Sequence, residues 1–185
     1  PDLFEDWSKR APATQENPKA TAVAYLEYNR GFNVGLIKNW FTQENYYCRE
    51  TNEGSATVRF PLQRGGWWER IIDRPHRFDK KARFKFGESF RGVWWQPPTV
   101  DLATVSELWI VEGIFDAIAL MHNGISAVSA MSCNVFPQDS LNELLKNRAG
   151  DLPTLIWALD NEDGKKKSSG ARAYAIRWAR QAEKM

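Results

Sequence analysis

Between Leu108 and Glu183, short apolar runs alternate with helical patterns three times over, an order that permits few folds. Leu108–Val111, Ala127–Ala130 and Thr154–Leu159 are strand-like. Asp116–His122, Asp139–Lys146 and Ala171–Glu183 carry helical spacing, with Gly124 close behind the first. Strand–helix alternation at this spacing predicts α/β architecture, with parallel strands joined by right-handed crossovers.

Ahead of Gln96-Pro97-Pro98 the texture differs. Residues 1–19 are polar, contain Pro12 and Pro18, and read as an arm or linker. Thr21–Tyr28 and Val34–Phe41, separated by Asn29-Arg30-Gly31, form a helical hairpin pattern. From Ala56 the chain turns to β-like runs: Thr57–Leu62, Trp67–Ile72, Arg83–Phe86 and Val93–Trp95. Arg64-Gly65-Gly66 supplies a hairpin turn, because paired glycines accept the positive φ that tight hairpins require. The expected organisation is an arm over 1–19, a mixed α+β subdomain over 20–98, and an α/β domain over 99–185. Trp67-Trp68 and Trp94-Trp95 offer base-stacking surfaces, although aromatic residues in strands serve core packing more often.

The 185 residues suffice for one good core or two small lobes. Cys48 and Cys133 belong to no Cys-x-x-Cys or Cys/His spacing, so neither a disulfide framework nor a zinc site is expected, and a reducing cytoplasm is the expected home. No apolar run approaches the roughly 18 residues of a membrane helix, and the charged-then-apolar order of a signal peptide is missing; no membrane association is expected. The net charge of +2 hides an uneven distribution. From Arg64 to Arg91 there are nine Lys/Arg against four acids, whereas from Thr99 to Asp163 ten acids face only Lys146 and Arg148. A polyanion-binding surface followed by a cation-binding one has this pattern, and so do two ordinary solvated faces.

The acids are placed to select between those readings. Glu112 directly follows Leu108–Val111, and Asp160 directly follows Thr154–Leu159, so both emerge at the carboxyl edge where open α/β sheets build their sites. Asp116 follows Glu112 by four residues across Gly113, where the backbone turns into a helix, and Glu162 and Asp163 follow Asp160. Singly, each acid has a structural role open to it: Asp116 as a helix cap, Asp160 to Gly164 as a surface turn. Jointly they repel one another unless divalent cations neutralise them, and carboxylate oxygens are what a hard cation such as Mg²⁺ selects.

Val111-Glu112-Gly113-Ile114-Phe115-Asp116, followed by Leu159-Asp160-Asn161-Glu162-Asp163-Gly164, resembles the two signatures of the Toprim domain. That domain is shared by bacterial DnaG-type primases, phage and mitochondrial primase-helicases, type IA and II topoisomerases and some nucleases. The resemblance implies a Rossmann-like Toprim sheet, Glu112 as the catalytic acid/base residue or a metal ligand, and Asp116, Asp160 and Glu162 or Asp163 as ligands of Mg²⁺, with Mn²⁺ as a substitute. Upstream, Tyr25-Leu26-Glu27-Tyr28-Asn29-Arg30-Gly31 resembles the Tyr-Leu-x-x-Arg-Gly helix start of the primase core, with one residue extra before Arg30. Val58 to Leu62, Ile71 to Arg74 and Lys81 to Gly87 are similar to the basic subdomain preceding the primase Toprim fold, which implies nucleic-acid contacts from Arg59, Arg74, Lys81, Arg83 and Lys85.

The function so implied is that of a DNA primase catalytic core, a nucleotidyltransferase making short RNA primers from nucleoside triphosphates on a single-stranded DNA template. No zinc module and no Walker-type loop is present in the sequence, so a helicase partner, fused or separate, is expected from a longer protein. A Toprim nuclease and a catalytically altered nucleic-acid-binding module are the rival readings. The Lys165-Lys166-Lys167-Ser168-Ser169 run is a departure from the family pattern and reads as a solvated loop.

Overall fold

The computed structural model describes residues 4–148, 150–160 and 170–185. The chain divides into two compact units, Pro1–Glu88 and Ser89–Met185.

The first unit opens with three short helices, α1 (Trp7–Arg10), α2 (Ala20–Ala24) and α3 (Val34–Ile37). Four strands follow: β1 (Thr42–Cys48), β2 (Glu53–Pro61), β3 (Trp67–Ile71) and β4 (Ala82–Phe84). They form an antiparallel meander in chain order. Gly65 and Gly66, at φ +93° and +72°, make the β2–β3 turn, closed by the Gly65 N–H donating to the Leu62 carbonyl at 3.1 Å. On one face of the sheet Ala56, Val58 and Phe60 are buried, with Phe60 touching Phe41 and Trp68 at ring separations of 6.1 Å. Gln43 ties this face to α2 by accepting from the Ala22 N–H at 2.7 Å.

The helix expected over Thr21–Tyr28 changes character midway. Tyr25–Asn29 is a π-helical turn, in which the Arg30 N–H donates five residues back to the Tyr25 carbonyl at 3.3 Å. One additional residue fits into such a turn without reversing which side chains face inward. Tyr25 and Leu26 stay fully buried, and Arg30 reaches back so that Nε and Nη2 donate to the Tyr25 hydroxyl at 2.9 and 2.6 Å. The segment read as an arm carries α1, whose Trp7 is buried edge-on against Tyr25.

Asp73 fastens α1 to the sheet. Its carboxylate accepts from the Ser8 N–H at 2.8 Å, the Ser8 hydroxyl at 2.5 Å and the Ala56 N–H at 2.9 Å, while its own N–H donates to the Ser55 hydroxyl at 2.9 Å.

The second unit alternates strands and helices: β5 (Glu107–Val111), α4 (Ile114–His122), β6 (Ala127–Ser129), α5 (Gln138–Asn147), β7 (Thr154–Ala158) and α6 (Ala171–Ala182). Its sheet has the order β6-β5-β7, both pairings parallel, as the alternation required. Leu108 and Ile110 of the central strand are fully buried and pack with Trp94, Val100, Val128, Ala130, Leu141 and Leu144. Phe136 stacks on Trp157 at 5.8 Å and meets Trp178 of α6 at 5.1 Å. The strand expected at Val93–Trp95 reduces to one antiparallel bridge, Trp95 with Ser129, whose backbone groups exchange bonds of 2.7 and 2.8 Å. Trp94 and Trp95 are core residues, which draws residues 89–98 into the second unit.

Replacing Asp73 with Ala strands three donors, two of them on the N-terminal segment, in a site that is 5% exposed. We expect urea unfolding to register a loss of about 3 kcal/mol, and less for Asp73→Asn, which keeps one acceptor oxygen. A loss below about 1 kcal/mol for Asp73→Ala would show that the fastening is dispensable.

Candidate functional site

Parallel pairing with β5 in the centre decides where the acids emerge. Val111 lies opposite Ser129 on one side and Ala158 on the other, so Glu112 leaves the sheet at the same carboxyl edge at which β7 ends two residues before Asp160. Glu112 is half-buried and Asp160 exposed. The Glu112 carbonyl accepts from the Ser129 hydroxyl at 3.0 Å, and the same hydroxyl accepts from the Met131 N–H at 3.0 Å. Ser129 is fully buried, and Met131 takes the left-handed conformation at φ 60°, so the end of β6 is locked onto the backbone that presents Glu112.

Gly113 and Asp116 form the entry to α4. One Asp116 carboxylate oxygen accepts from the Gly113 N–H at 3.0 Å, the reaching-back half of a capping box. A Cβ at position 113 would sit 2.5 Å from that oxygen, so glycine is what allows the carboxylate to lie over the helix start. Asp116 thus combines a capping bond with a place at the edge where Glu112 emerges. A negative group in the first helical turn is also favoured by the helix dipole.

Glu162 and Asp163 lie outside the described residues. Among the described residues no three His, Cys, Asp or Glu side chains gather as a metal-holding group. Glu112, Asp116 and Asp160 are all carboxylates, the hard-oxygen chemistry that Mg²⁺ selects, but the described residues do not bring the three together as one donor set.

The basic candidates are distributed over the first unit. Arg59 and Arg83 meet at one buried acid, Glu69, which is 1% exposed. Glu69 faces Arg59 across β2–β3 and Arg83 across β3–β4. Arg59 donates from Nε and Nη2 to one Glu69 oxygen at 3.1 and 3.0 Å, Thr57 donates to the same oxygen at 3.1 Å, and Arg83 Nε lies 3.2 Å from the other. The guanidiniums also stack on rings, Arg59 over Trp67 at 4.0 Å and Arg83 over Tyr46 at 4.3 Å. Arg74, in the left-handed region at φ 41°, pairs with Asp6 at 3.3 Å. Lys85 pairs with Glu88 at 3.1 Å, and Lys81 is exposed.

Sequence reasoning missed Glu69, Tyr46 and Ser129, and it named Trp67 as a stacking or packing residue without its arginine partner. Glu69 carried no reliable signal: a two-residue turn at Gly65-Gly66 would set Leu62 opposite it, whereas the observed register pairs Pro61 with Trp67 and so brings Arg59 opposite Glu69. Ser129 carried no local signal, since its partners come from another strand end and from its own turn.

Residues 109–177, within the second unit, match the family described as Toprim-like. No curated protein and no solved structure matches the chain. An α/β chain with one parallel three-stranded sheet and one antiparallel sheet is compatible with such a domain. Toprim domains occur in primases, nucleases and topoisomerases, are usually metal-dependent enzymes, and generally bind Mg²⁺. No helix among the described residues is long and apolar enough to cross a membrane.

Gly113→Ala should push the Asp116 carboxylate off its capping bond and cost about 1 kcal/mol in thermal unfolding. In an Asp116→Ala background the same change should cost less than half as much. Equal costs in the two backgrounds would show that the carboxylate is not the obstacle at position 113.

Proposed function

We propose that this chain is the catalytic core of a DNA primase, synthesising short RNA on a single-stranded DNA template from nucleoside triphosphates. The observation that carries the reading is the emergence of Glu112, Asp116 and Asp160 at one carboxyl edge, inside the stretch that matches the Toprim-like family. The upstream resemblance to a primase basic subdomain favours primer synthesis over hydrolysis.

In this reading Asp116 and Asp160, with Glu162 or Asp163, hold Mg²⁺, and Mn²⁺ substitutes. The bound ion supplies charge neutralisation at the triphosphate and acidifies the primer 3′-hydroxyl. The reaction forms a bond from the 3′-oxygen to the α-phosphorus and breaks the bond to the departing pyrophosphate. Glu112, whose backbone carbonyl is held by Ser129, takes the hydroxyl proton on its carboxylate in this reading. Asp116, hooked onto Gly113, brings its negative charge to the helix start without a mobile loop.

Arg59, Arg74, Lys81, Arg83 and Lys85 supply the template grip, with unequal shares. Arg59 and Arg83 give part of their charge to Glu69 and contribute donors and ring-stacked planes. Lys81 and Lys85, both exposed, offer screened phosphate contacts. A helicase, fused or separate, is the partner expected to deliver the single strand.

The reading is tested with a single-stranded template, labelled nucleotides and Mg²⁺ or Mn²⁺. Primers should form, and Asp160→Ala and Glu112→Gln should each reduce synthesis by about a hundredfold or more. Mn²⁺ binding, followed by electron paramagnetic resonance, should weaken in Asp160→Ala. Absence of primers at high protein concentration, together with unchanged Mn²⁺ binding in that variant, would refute the assignment, and cleavage of the template would promote the nuclease reading.

Lys85→Ala should weaken single-strand binding and lower the salt slope by about 0.7 while leaving stability unchanged. Arg59→Ala should weaken binding and also destabilise the fold by about 3 kcal/mol, because one oxygen of the buried Glu69 then loses both guanidinium donors. Equal stability of the two variants would remove Glu69 from its assigned place as the arginines' anchor.

A further inference from the structure

The first unit contains a cleft of about 510 Å³ at the end of the sheet where β1 turns into β2. Its size falls in the range of small-ligand sites. Its walls combine rings and cations: Tyr46, Phe78 and Phe86 with Arg49, Arg77, Lys80 and Arg83, against two acids, Glu50 and Asp79.

These groups differ in how far they are committed. Tyr46 and Phe78 meet edge-on at 5.4 Å, and each already carries a guanidinium, Arg83 at 4.3 Å and Arg77 at 5.3 Å. Arg77 is further tied to Glu53 at 3.1 Å and to the Gly54 carbonyl at 2.9 Å. These four residues make a rigid corner. In contrast, Arg49 and Lys80 make no side-chain hydrogen bond or ion pair among the described residues, and Phe86 is 98% exposed. A lone exposed ring is ordinary on a protein surface. Here the ring lines a concave site that also holds two uncommitted cations.

We propose that this cleft is a single-nucleotide pocket, in which a nucleobase of a single strand stacks on Phe86 and its neighbouring phosphate is held by Arg49 and Lys80. The chemistry of the walls selects that ligand. A free phosphate has no use for the ring, an apolar ligand would desolvate the cations at a loss, and a base with its phosphate satisfies both. The pocket deepens the primase reading by assigning one template nucleotide to residues outside the five basic candidates, and it rests on that reading for the identity of the strand.

Cys48 lines the same cleft and provides an internal reporter. Hydrogen bonding from Thr51 holds its thiol below the ordinary range, which favours the reactive thiolate. Cys133 belongs to the second unit and serves as the control.

The test uses the whole chain with a short oligonucleotide carrying one 2-aminopurine, without triphosphates or divalent metal, so that it does not depend on synthesis. Binding should quench the fluorophore and slow alkylation of Cys48 but not of Cys133. Phe86→Ala should abolish the quenching and weaken affinity about tenfold, with the salt slope unchanged. Lys80→Ala should leave the quenching at saturation and lower the slope by about 0.7. An abasic oligonucleotide should protect Cys48 poorly, and inorganic phosphate alone should not protect it. Full quenching in Phe86→Ala, or protection of Cys48 by phosphate as good as by the oligonucleotide, would overturn the pocket. Quenching that survives in a protein unable to make primers would sink the primase reading and leave the pocket standing. Phe86 is exposed and its truncation does not threaten folding, which circular dichroism checks.

Discussion

Strand β5 has a neighbour on each edge, and that constraint positions the chemistry the second unit can offer. A central parallel strand buries residues on both faces, Leu108 and Ile110 on one and Val111 on the other, so beyond the exposed Glu107 at its start the next position that carries a charge is the one that leaves the sheet. That residue is Glu112. Its neighbours in register end at the same edge, so the acid following β7 and the acid on the first turn of α4 reach the same side through connectivity alone. The site is therefore inexpensive in structural terms: it needs one buried hydroxyl, Ser129, and one missing Cβ, at Gly113.

The first unit solves a different problem, that of holding charge inside a small sheet. Glu69 is nearly inaccessible and is acceptable there because two guanidiniums and a hydroxyl surround it. The same contacts fix Arg59 and Arg83 as flat planes against Trp67 and Tyr46. An arginine so anchored loses little side-chain freedom when it meets a ligand, whereas the exposed lysines must surrender theirs. The basic candidates from Arg59 to Lys85 are thus graded in stiffness.

Much of the second unit was legible because buried parallel strands are written as continuous apolar runs and helices by their spacing, so all six of its elements lie within a few residues of the expected ranges. The first unit was legible only in part. Strand β1, Thr-Gln-Glu-Asn-Tyr-Tyr-Cys, is an edge strand without an apolar run, and it escaped notice. The helix expected over Val34–Phe41 shrank to Val34–Ile37, because Trp40 and Phe41 are buried by the chain leaving the helix rather than by continuing it. Val93–Trp95 had strand composition, yet only Trp95 finds a partner. Of the site, the three acids were visible as strand-end residues, while the Glu69 clamp and the Ser129 brace depended on register between distant segments, which composition and periodicity do not encode.

The π-turn at Tyr25–Asn29 has a consequence for how this segment tolerates change in length. A helix that already contains one surplus residue stores the insertion as a local widening, with Tyr25 and Arg30 still joined across it. Removing a residue from within the turn would tighten it to a regular helix without moving either end of the pair to another face. Adding one would leave no comparable shape to adopt and would swing Arg30 away from the Tyr25 hydroxyl. The segment is thus tolerant of shortening and intolerant of growth, a directional asymmetry that substitution tolerance alone would not reveal.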